Sequence, residues 1–254
     1  MNTYDMRSAG TVASDGDADV WLRVVVEDLD YQPACRWEGN VEANAITGVP
    51  KPRVLRWKDW ENHEDYLKGR RVRAEVMTLA PGRSVSPDAV LFTDPELPDT
   101  WWSDLRNGLA ALAAHPVPQD DPVDSIGFVA RGVAQHFDRQ LDPEQFGDLV
   151  WVTSHADLHW GNLVGPELSI LDWESWRRAP AGYDAATLYC NSLLIPNIAE
   201  RVQHTFADVL DTPTGHFALL FAVVRYLAHI GSGSDADALE PSLRPLGESL
   251  LSKL

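Results

Sequence analysis

The chain has 254 residues, 44% hydrophobic and 23% charged, a globular composition for one large domain or two lobes that excludes disordered and fibrous architectures. Its 21 Lys and Arg against 38 Asp and Glu give a formal net charge of −17, which repels phosphate backbones and anionic lipid. Neither nucleic acid nor a membrane is therefore expected as a partner; a cationic small molecule would be drawn in, although a solvated acidic surface is the first account of the same charge.

Cys35 and Cys190 show no metal-site or redox spacing, and the N-terminus has no secretory signal, so the expected setting is reduced and cytoplasmic. The first third is strand-rich. Val20–Val26 is dense in β-branched and large apolar residues, and Ser14-Asp-Gly-Asp17 before it has hairpin-turn chemistry. A helix is predicted from Pro33 to Ile46, stopped by Gly48 and the Pro50/Pro52 pair. Strands follow near Arg53–Trp57 and Val72–Leu79, separated by a polar stretch, Lys58 to Gly69, that reads as a hairpin loop or an excursion. Ala80-Pro-Gly82 closes this part.

After a Pro- and Asp-rich crossing, Pro87 to Asp99, the period turns helical. Trp101, Leu105, Leu109 and Leu112 share a face, and a second helix is expected from Asp124 to Phe137. Further helices are expected over Asp184–Leu194, Ile198–Leu210, Gly215–Ile230 and Asp235–Leu251. The longest apolar run, His216–Ile230, contains Arg225 and is shorter than the ~20 residues a bilayer requires, so it reads as a buried core helix.

One strand-bearing segment interrupts the helices. Val150–Ser154 reads as a short buried strand, followed by His155-Ala-Asp157-Leu-His159-Trp-Gly-Asn162. Leu163-Val164, a Gly-Pro-Glu turn and Leu168–Leu171 then form a hairpin ending at Asp172. Two antiparallel strands joined by a tight turn set Asn162, just before the first, beside Asp172, just after the second. An amide oxygen and a carboxylate at one hairpin end suit Mg²⁺, which takes few protein ligands and completes its shell with phosphate and water. Asp157, five residues before Asn162, would face that position and accept a proton from a nucleophile. Phosphoryl transfer needs this arrangement, and the spacing His155-x-Asp157-x4-Asn162 with a hairpin to Asp172 matches the kinase catalytic loop and its metal-binding Asp.

His155-Ala-Asp-Leu-His-Trp-Gly-Asn-Leu163, Leu171-Asp-Trp-Glu174 and Gly182-Tyr-Asp184-Ala-Ala, in that order, resemble the aminoglycoside phosphotransferase and choline-kinase-like branch of the protein-kinase-like fold. The resemblance implies a two-lobed α+β fold, with a β-rich nucleotide-binding lobe over residues 1–82, a helical lobe over 83–254 and ATP between them. It implies that Asp157 is the catalytic base, that Asn162 and Asp172 hold Mg²⁺, that His155 braces the loop and that Asp184 hydrogen-bonds the loop backbone. Arg23 stands where the family has a Lys contacting the nucleotide phosphates, an exchange that is not neutral because the guanidinium is larger, planar and forked. Glu38 is chosen as its partner on the helix, with Glu42 one turn on as the alternative.

Val76–Gly82 resembles the hinge whose backbone binds adenine, which assigns Met77 and Leu79 to the nucleotide. Two departures stand out. Asn2-Thr3-Tyr4 resembles the tail of the phosphate-covering loop with nothing before it but Met1, so the family's first strand is expected to be missing. Ala156 stands where Gly is common, and Ala disfavours positive φ.

The implied reaction moves the ATP γ-phosphoryl group to a hydroxyl of a small molecule, cationic if the net charge has a say. Two other readings stay open. Arg23 in place of Lys and the short start fit a catalytically weak or silent kinase-shaped binding protein. His155-x-Asp157-x-His159 is also a triplet that a metal-dependent hydrolase uses, although no second cluster of ligands accompanies it.

Overall fold

The computed structural model describes residues 2–4, 8–14, 16, 18–28, 37–62, 69–116 and 125–253. Its first part is an antiparallel sheet of β1 (Asn2–Tyr4), β2 (Ser8–Ser14), β3 (Asp19–Asp28), β4 (Val54–Asn62) and β5 (Arg70–Thr78), in the order β1-β2-β3-β5-β4. The strand bearing Arg23 is therefore the third of the sheet, and the expectation of a missing first strand is corrected. Ser8-Ala-Gly-Thr-Val-Ala-Ser14 gave little signal because small residues carry almost no apolar alternation. Its place in the sheet depends on Gly10: a Cβ there would lie 2.2 Å from Cζ2 of Trp21, whose ring lies over the β2 backbone. The expected hairpin turn joins β2 to β3, and its Asp15 and Asp17 fall outside the described residues, as does Cys35.

β4 continues through Lys58–Asn62, part of the stretch expected to be a loop; the rest of that stretch, 63–68, lies outside the described residues. Charge holds this polar strand in place. Asp59 pairs across to Arg73 and Glu61 to Arg71, so opposite charges meet directly on neighbouring strands. Arg23 opposite Glu75 and Glu27 opposite Arg71 repeat the device between β3 and β5. Arg73, 1% exposed, is matched on several sides: Nε and Nη2 donate to the two Asp59 carboxylate oxygens at 2.6 Å, Nη2 to Glu38 at 2.8 Å, and Nη1 to the Trp37 carbonyl at 2.8 Å. A buried guanidinium is tolerated on such terms.

The predicted Pro33–Ile46 helix is shorter among the described residues: α1 (Gly39–Glu42) runs into a 3₁₀ turn, Ala43–Ala45, while 29–36 lie outside them. α1 is pressed against the segment after Asp172. Asn40 Oδ1 accepts the Trp173 N–H at 2.9 Å, and Trp176 Nε1 donates to the Gly39 carbonyl at 3.0 Å.

The remainder is mainly helical: α2 (Asp99–Ala113), α3 (Ser125–Phe137), α4 (Tyr183–Cys190), α5 (Pro196–Thr205), α6 (Ala207–Leu210), α7 (Pro213–Leu227) and α8 (Glu240–Leu251). Among the described residues five short strands stand apart from the main sheet: β6 (Arg83–Ser84), β7 (Trp151–Ser154), β8 (Leu163–Gly165), β9 (Ser169–Ile170) and β10 (Arg177–Pro180), the last pairing β7. β6 joins the β8–β9 hairpin at its β8 edge, which ties the crossing from the first part to the site-bearing segment.

The expected helix α7 starts on a Thr212 cap, whose hydroxyl accepts the Gly215 N–H at 2.9 Å, with Pro213 in the first turn. It is buried along Phe217, Ala218, Leu220, Ala222 and Val223, and packs against α3, α4, α6 and α8. No helix among the described residues is long and apolar enough to cross a membrane. Trp101, Trp160 and Trp173 are buried to within 1% exposure, and each indole N–H finds an acceptor: the Val164 carbonyl, Ser192 Oγ and the Ile170 carbonyl.

Gly39→Ala tests the seam between α1 and Trp173–Glu174. A Cβ there would meet the Trp173 carbonyl oxygen at 2.6 Å and Glu174 Cα at 2.8 Å, both backbone atoms that no rotamer change can move. Denaturant titration is expected to show a loss of about 2 kcal/mol, in the range of overpacked sites. Gly147→Ala, whose Cβ would meet nothing nearer than 3.6 Å, should stay within about 0.5 kcal/mol of the parent.

Candidate active site

β7 delivers the chain to His155, and the hairpin returns it at Asp172. Leu163 pairs with Ile170, Val164 with Ser169, and the Leu171 N–H donates to the Asn162 carbonyl at 2.8 Å. Asn162 therefore lies opposite Leu171, with Asp172 one residue further on, at the hairpin end where the sequence reading put them.

The approach loop is held by its backbone. Asp184, in the first turn of α4, accepts the N–H groups of His155 and Ala156, each at 2.8 Å. Burial pushes its carboxyl up, and the charge of His155 and the two N–H groups pull against that shift. His155 is fully buried; its Nε2 lies 2.8 Å from the Leu171 carbonyl and its ring meets Trp173 edge-on. These contacts tie the loop to the residues on either side of Asp172. That placement also removes His155 as a metal ligand, and among the described residues no three His, Cys, Asp or Glu side chains converge as a metal group. The hydrolase reading loses its ligand set.

Ala156 has φ +65°, so the sequence-based expectation that Ala would keep the loop out of that region is corrected. The left-handed conformation costs an L-residue roughly 1–2 kcal/mol, and the bonds from Asp184 over-determine it. Asp172 also has positive φ, at +58°.

Asp157 follows the turn, half-buried. Its Oδ1 accepts Arg225 Nη2 at 2.8 Å, and Oδ2 lies 3.8 Å from His159 Nε2. Burial alone would raise this carboxyl; Arg225, then His159 and His155, outweigh burial and hold it below its ordinary value. Asn162 uses its amide nitrogen on the Asp157 carbonyl at 3.0 Å, and that nitrogen lies 3.1 Å from His159 Nε2, so the amide oxygen is the group left to face a cation. Asp172 is open to solvent, and its carboxyl is raised by desolvation and next by the like charge of Glu174, against Arg23. Asp157 adds to the same repulsion. Hard oxygen donors crowded together until they repel are the chemistry a divalent cation relieves, so the residues present fit Mg²⁺.

Arg23 lies in this cluster, but its partners differ from the expectation. Its guanidinium donates to Glu75 Oε2 at 3.2 Å and to Glu174 Oε1. Glu38 pairs with Arg73 instead, and Glu42 is exposed on α1. The reason is steric and local: α1 starts at Gly39 against Trp173–Glu174, and the side chain it turns to the sheet is Asn40, whose amide donates to the same Glu75 oxygen at 3.0 Å. The helix thus reaches Arg23 through a neutral amide and a strand glutamate.

Of the two hinge residues, Met77 is buried within the ladder between β3 and β4, paired to Trp21 and Val54. Leu79, one residue past the end of β5, is 41% exposed and is the one a ligand can reach.

Sequence reasoning passed over Glu75, Glu174, Asn40 and Arg225. Glu174 stood in a quoted motif without a role, Glu75 ends an Arg71-x-Arg73-x-Glu75 alternation, and Arg225 is the one charged residue in the apolar run 216–230.

No protein-family model matches the chain, and no curated protein matches it in sequence. Solved structures share its fold. The aminoglycoside phosphotransferase APH(4)-Ia aligns over 99% of this chain and 92% of its own at 13% identity, with a TM-score of 0.64. A choline/ethanolamine kinase family protein from Mesorhizobium loti covers 96% and 88% at 14% identity and 0.54. The amicoumacin kinase hAmiN, solved with AMP-PNP, Ca²⁺ and Ami, covers 98% and 89% at 14% and 0.52. The protein therefore has the two-lobed α+β, kinase-like fold that its motifs implied. Within that class it resembles the aminoglycoside phosphotransferases and the choline/ethanolamine kinase family.

Two substitutions test how the loop is held. Asp184→Ala strips the acceptor from two buried N–H groups and is expected to cost about 3 kcal/mol in denaturant unfolding. Ala156→Gly relieves the left-handed strain while adding backbone entropy to the unfolded chain, so the net change should lie within about 1 kcal/mol. A large loss in the glycine variant would show that the Ala156 methyl group, not the turn, holds the loop.

Proposed function

We propose that the protein is an ATP-dependent small-molecule kinase. The observation that carries this reading is the convergence of Asp157, Asn162 and Asp172 around the open end of the β8–β9 hairpin, with Arg23 alongside Asp172. Asp157 orients the acceptor hydroxyl and takes its proton as the hydroxyl oxygen bonds to the γ-phosphorus; the bond to the β-phosphate oxygen breaks and ADP leaves. Asn162 and Asp172 hold Mg²⁺, which when bound neutralises charge on the phosphate oxygens. Arg23, fixed by Glu75 and Glu174, sets a positive charge for the nucleotide phosphates, and the exposed Leu79 segment takes the adenine. Residues 1–82 form the nucleotide lobe and 83–254 the lobe that holds the acceptor.

The fold supports this assignment, and solved relatives of the fold bind the ligands it calls for. A thermostable variant of APH(4)-Ia was crystallised as a ternary complex with ADP and hygromycin B. The acceptor here is a small hydroxylated compound, and the net charge of −17 favours a cationic one at long range.

The test is ADP formation from ATP and Mg²⁺ over a panel of hydroxylated amines and sugars. Asp157→Asn and Asp172→Asn are each expected to lower kcat by at least 10²-fold, the lower end of what a positioned base contributes. Turnover unchanged in both variants overturns the proposal. Tight binding of ATP with no turnover on any acceptor favours a kinase-shaped binding protein instead.

A further inference from the structure

Arg225 sits in the most apolar helix of the chain. α7 buries Phe217, Leu220, Phe221, Val223 and Val224, and a guanidinium on such an element is costly unless its donors are matched. Among the described residues the Arg225 guanidinium donates to the approach loop and to Tyr183, the neighbour of the residue that anchors the loop. Nη2 donates to Asp157 Oδ1 at 2.8 Å, and Nη1 to the Ala156 carbonyl at 3.0 Å and to the Tyr183 hydroxyl at 3.2 Å. Tyr183 is buried, stacks on Phe221 of α7 at 4.6 Å, and immediately precedes Asp184.

The left-handed turn is therefore gripped from two sides. Asp184 takes the N–H groups of His155 and Ala156, and Arg225 takes the Ala156 carbonyl. A planar fork is needed for the second grip, because one group must reach a peptide oxygen and a carboxylate together. The consequence falls on Asp157. With Oδ1 bound to Arg225, Oδ2 is the oxygen left for a substrate. Oδ2 is 3.8 Å from His159 Nε2, beyond hydrogen-bond distance. Both side chains of the pair stay about one-third open, Arg225 at 33% and Asp157 at 31%, so solvent reaches them.

We propose that Arg225 is a positioning residue that locks the Asp157 carboxylate by Oδ1 and the Ala156 carbonyl, so that Oδ2 alone is presented to the acceptor hydroxyl. This rests on the kinase reading above, and the experiment separates the two. Mg²⁺-dependent ADP formation from ATP is measured with water as the acceptor in the parent protein, Asp157→Asn, Arg225→Met, Arg225→Lys and the double variant Asp157→Asn/Arg225→Met. Arg225→Met is expected to lower kcat by at least 30-fold with KM for ATP within about threefold. Arg225→Lys should recover only part of the loss, since a point charge cannot fork. The double variant should be no slower than Asp157→Asn alone, because residues acting as one unit are not additive.

If Asp157→Asn leaves turnover unchanged, the kinase reading fails. If Asp157→Asn collapses turnover while both Arg225 variants match the parent, or the double variant loses further activity in proportion, the positioning role fails. Amide hydrogen exchange decides the matter without turnover. Arg225→Met should speed exchange at 156–158 at least tenfold while the amides of α7 keep the parent's rates; unchanged exchange at 156–158 overturns the proposal.

Discussion

A buried carboxylate on α4, Asp184, accepts the N–H groups of His155 and Ala156, and the direction of the chain through the cleft depends on that contact. It lets an L-residue keep φ at +65°, where its own sterics oppose it. From that turn Asp157 points toward solvent while His155 points into the core under the Leu171 carbonyl. The strain is small beside what the bonds return, since each buried N–H left without an acceptor would cost about 1–3 kcal/mol. The same turn presents a carbonyl to Arg225, so helices on two sides of the loop hold one residue, Ala156, by its N–H and by its C=O. Such over-determination suits a group whose position must not drift: a misplacement of 1 Å is enough to lose much of the benefit of orientation.

The sheet and the loop are joined by a second set of contacts whose logic is charge matching. Arg23 draws on Glu75 from β5 and Glu174 from the segment beyond Asp172, while Asn40 shares Glu75 and also receives the Trp173 N–H. In effect α1, β3, β5 and the metal-side segment meet on one polar cluster. Glu174 is two residues from Asp172, and both it and Arg23 act on the Asp172 carboxyl directly, Glu174 raising it and Arg23 lowering it. A neutral Asn on the helix also makes sense beside this cluster. A third carboxylate there would have added repulsion to Glu75 and Glu174 with one guanidinium to answer both.

The placement of Asn162 beside Asp172 was legible because one short loop and one hairpin set it. The contacts expected of His155 and Asp184 came from the family resemblance, not from spacing. Three features were not legible, each for a physical reason. β2 is made of small residues, and its Gly10 is required by the Trp21 ring that lies over it, a constraint carried by another strand. The partner of Arg23 depends on strand register and on where α1 begins, and a shift of one residue in either would have exchanged Glu75 for a neighbour on the other face. Ala156 shows that a preference against positive φ is a small energy that local bonds override. Arg225 left a trace, a lone cation in an apolar run, that composition explained equally well as an obstacle to membrane insertion.

Charge at the cleft differs from charge over the whole surface. The chain carries −17, but its field beyond a Debye length of roughly 8–10 Å is screened, so it biases encounter more than recognition. Asp157, Asp172, Glu75 and Glu174 lie with Arg23 and Arg225, and His155, His159 and Asp184 add to the same field. At Asp172, desolvation first and then the like charge of Glu174 raise the carboxyl against the pull of Arg23, and a divalent cation would relieve that repulsion. On the kinase reading proposed above, an amine close to the reacting hydroxyl would meet both the Asp157 carboxylate and the Arg225 guanidinium paired to it, so the net charge of the chain does not by itself fix the charge of the acceptor.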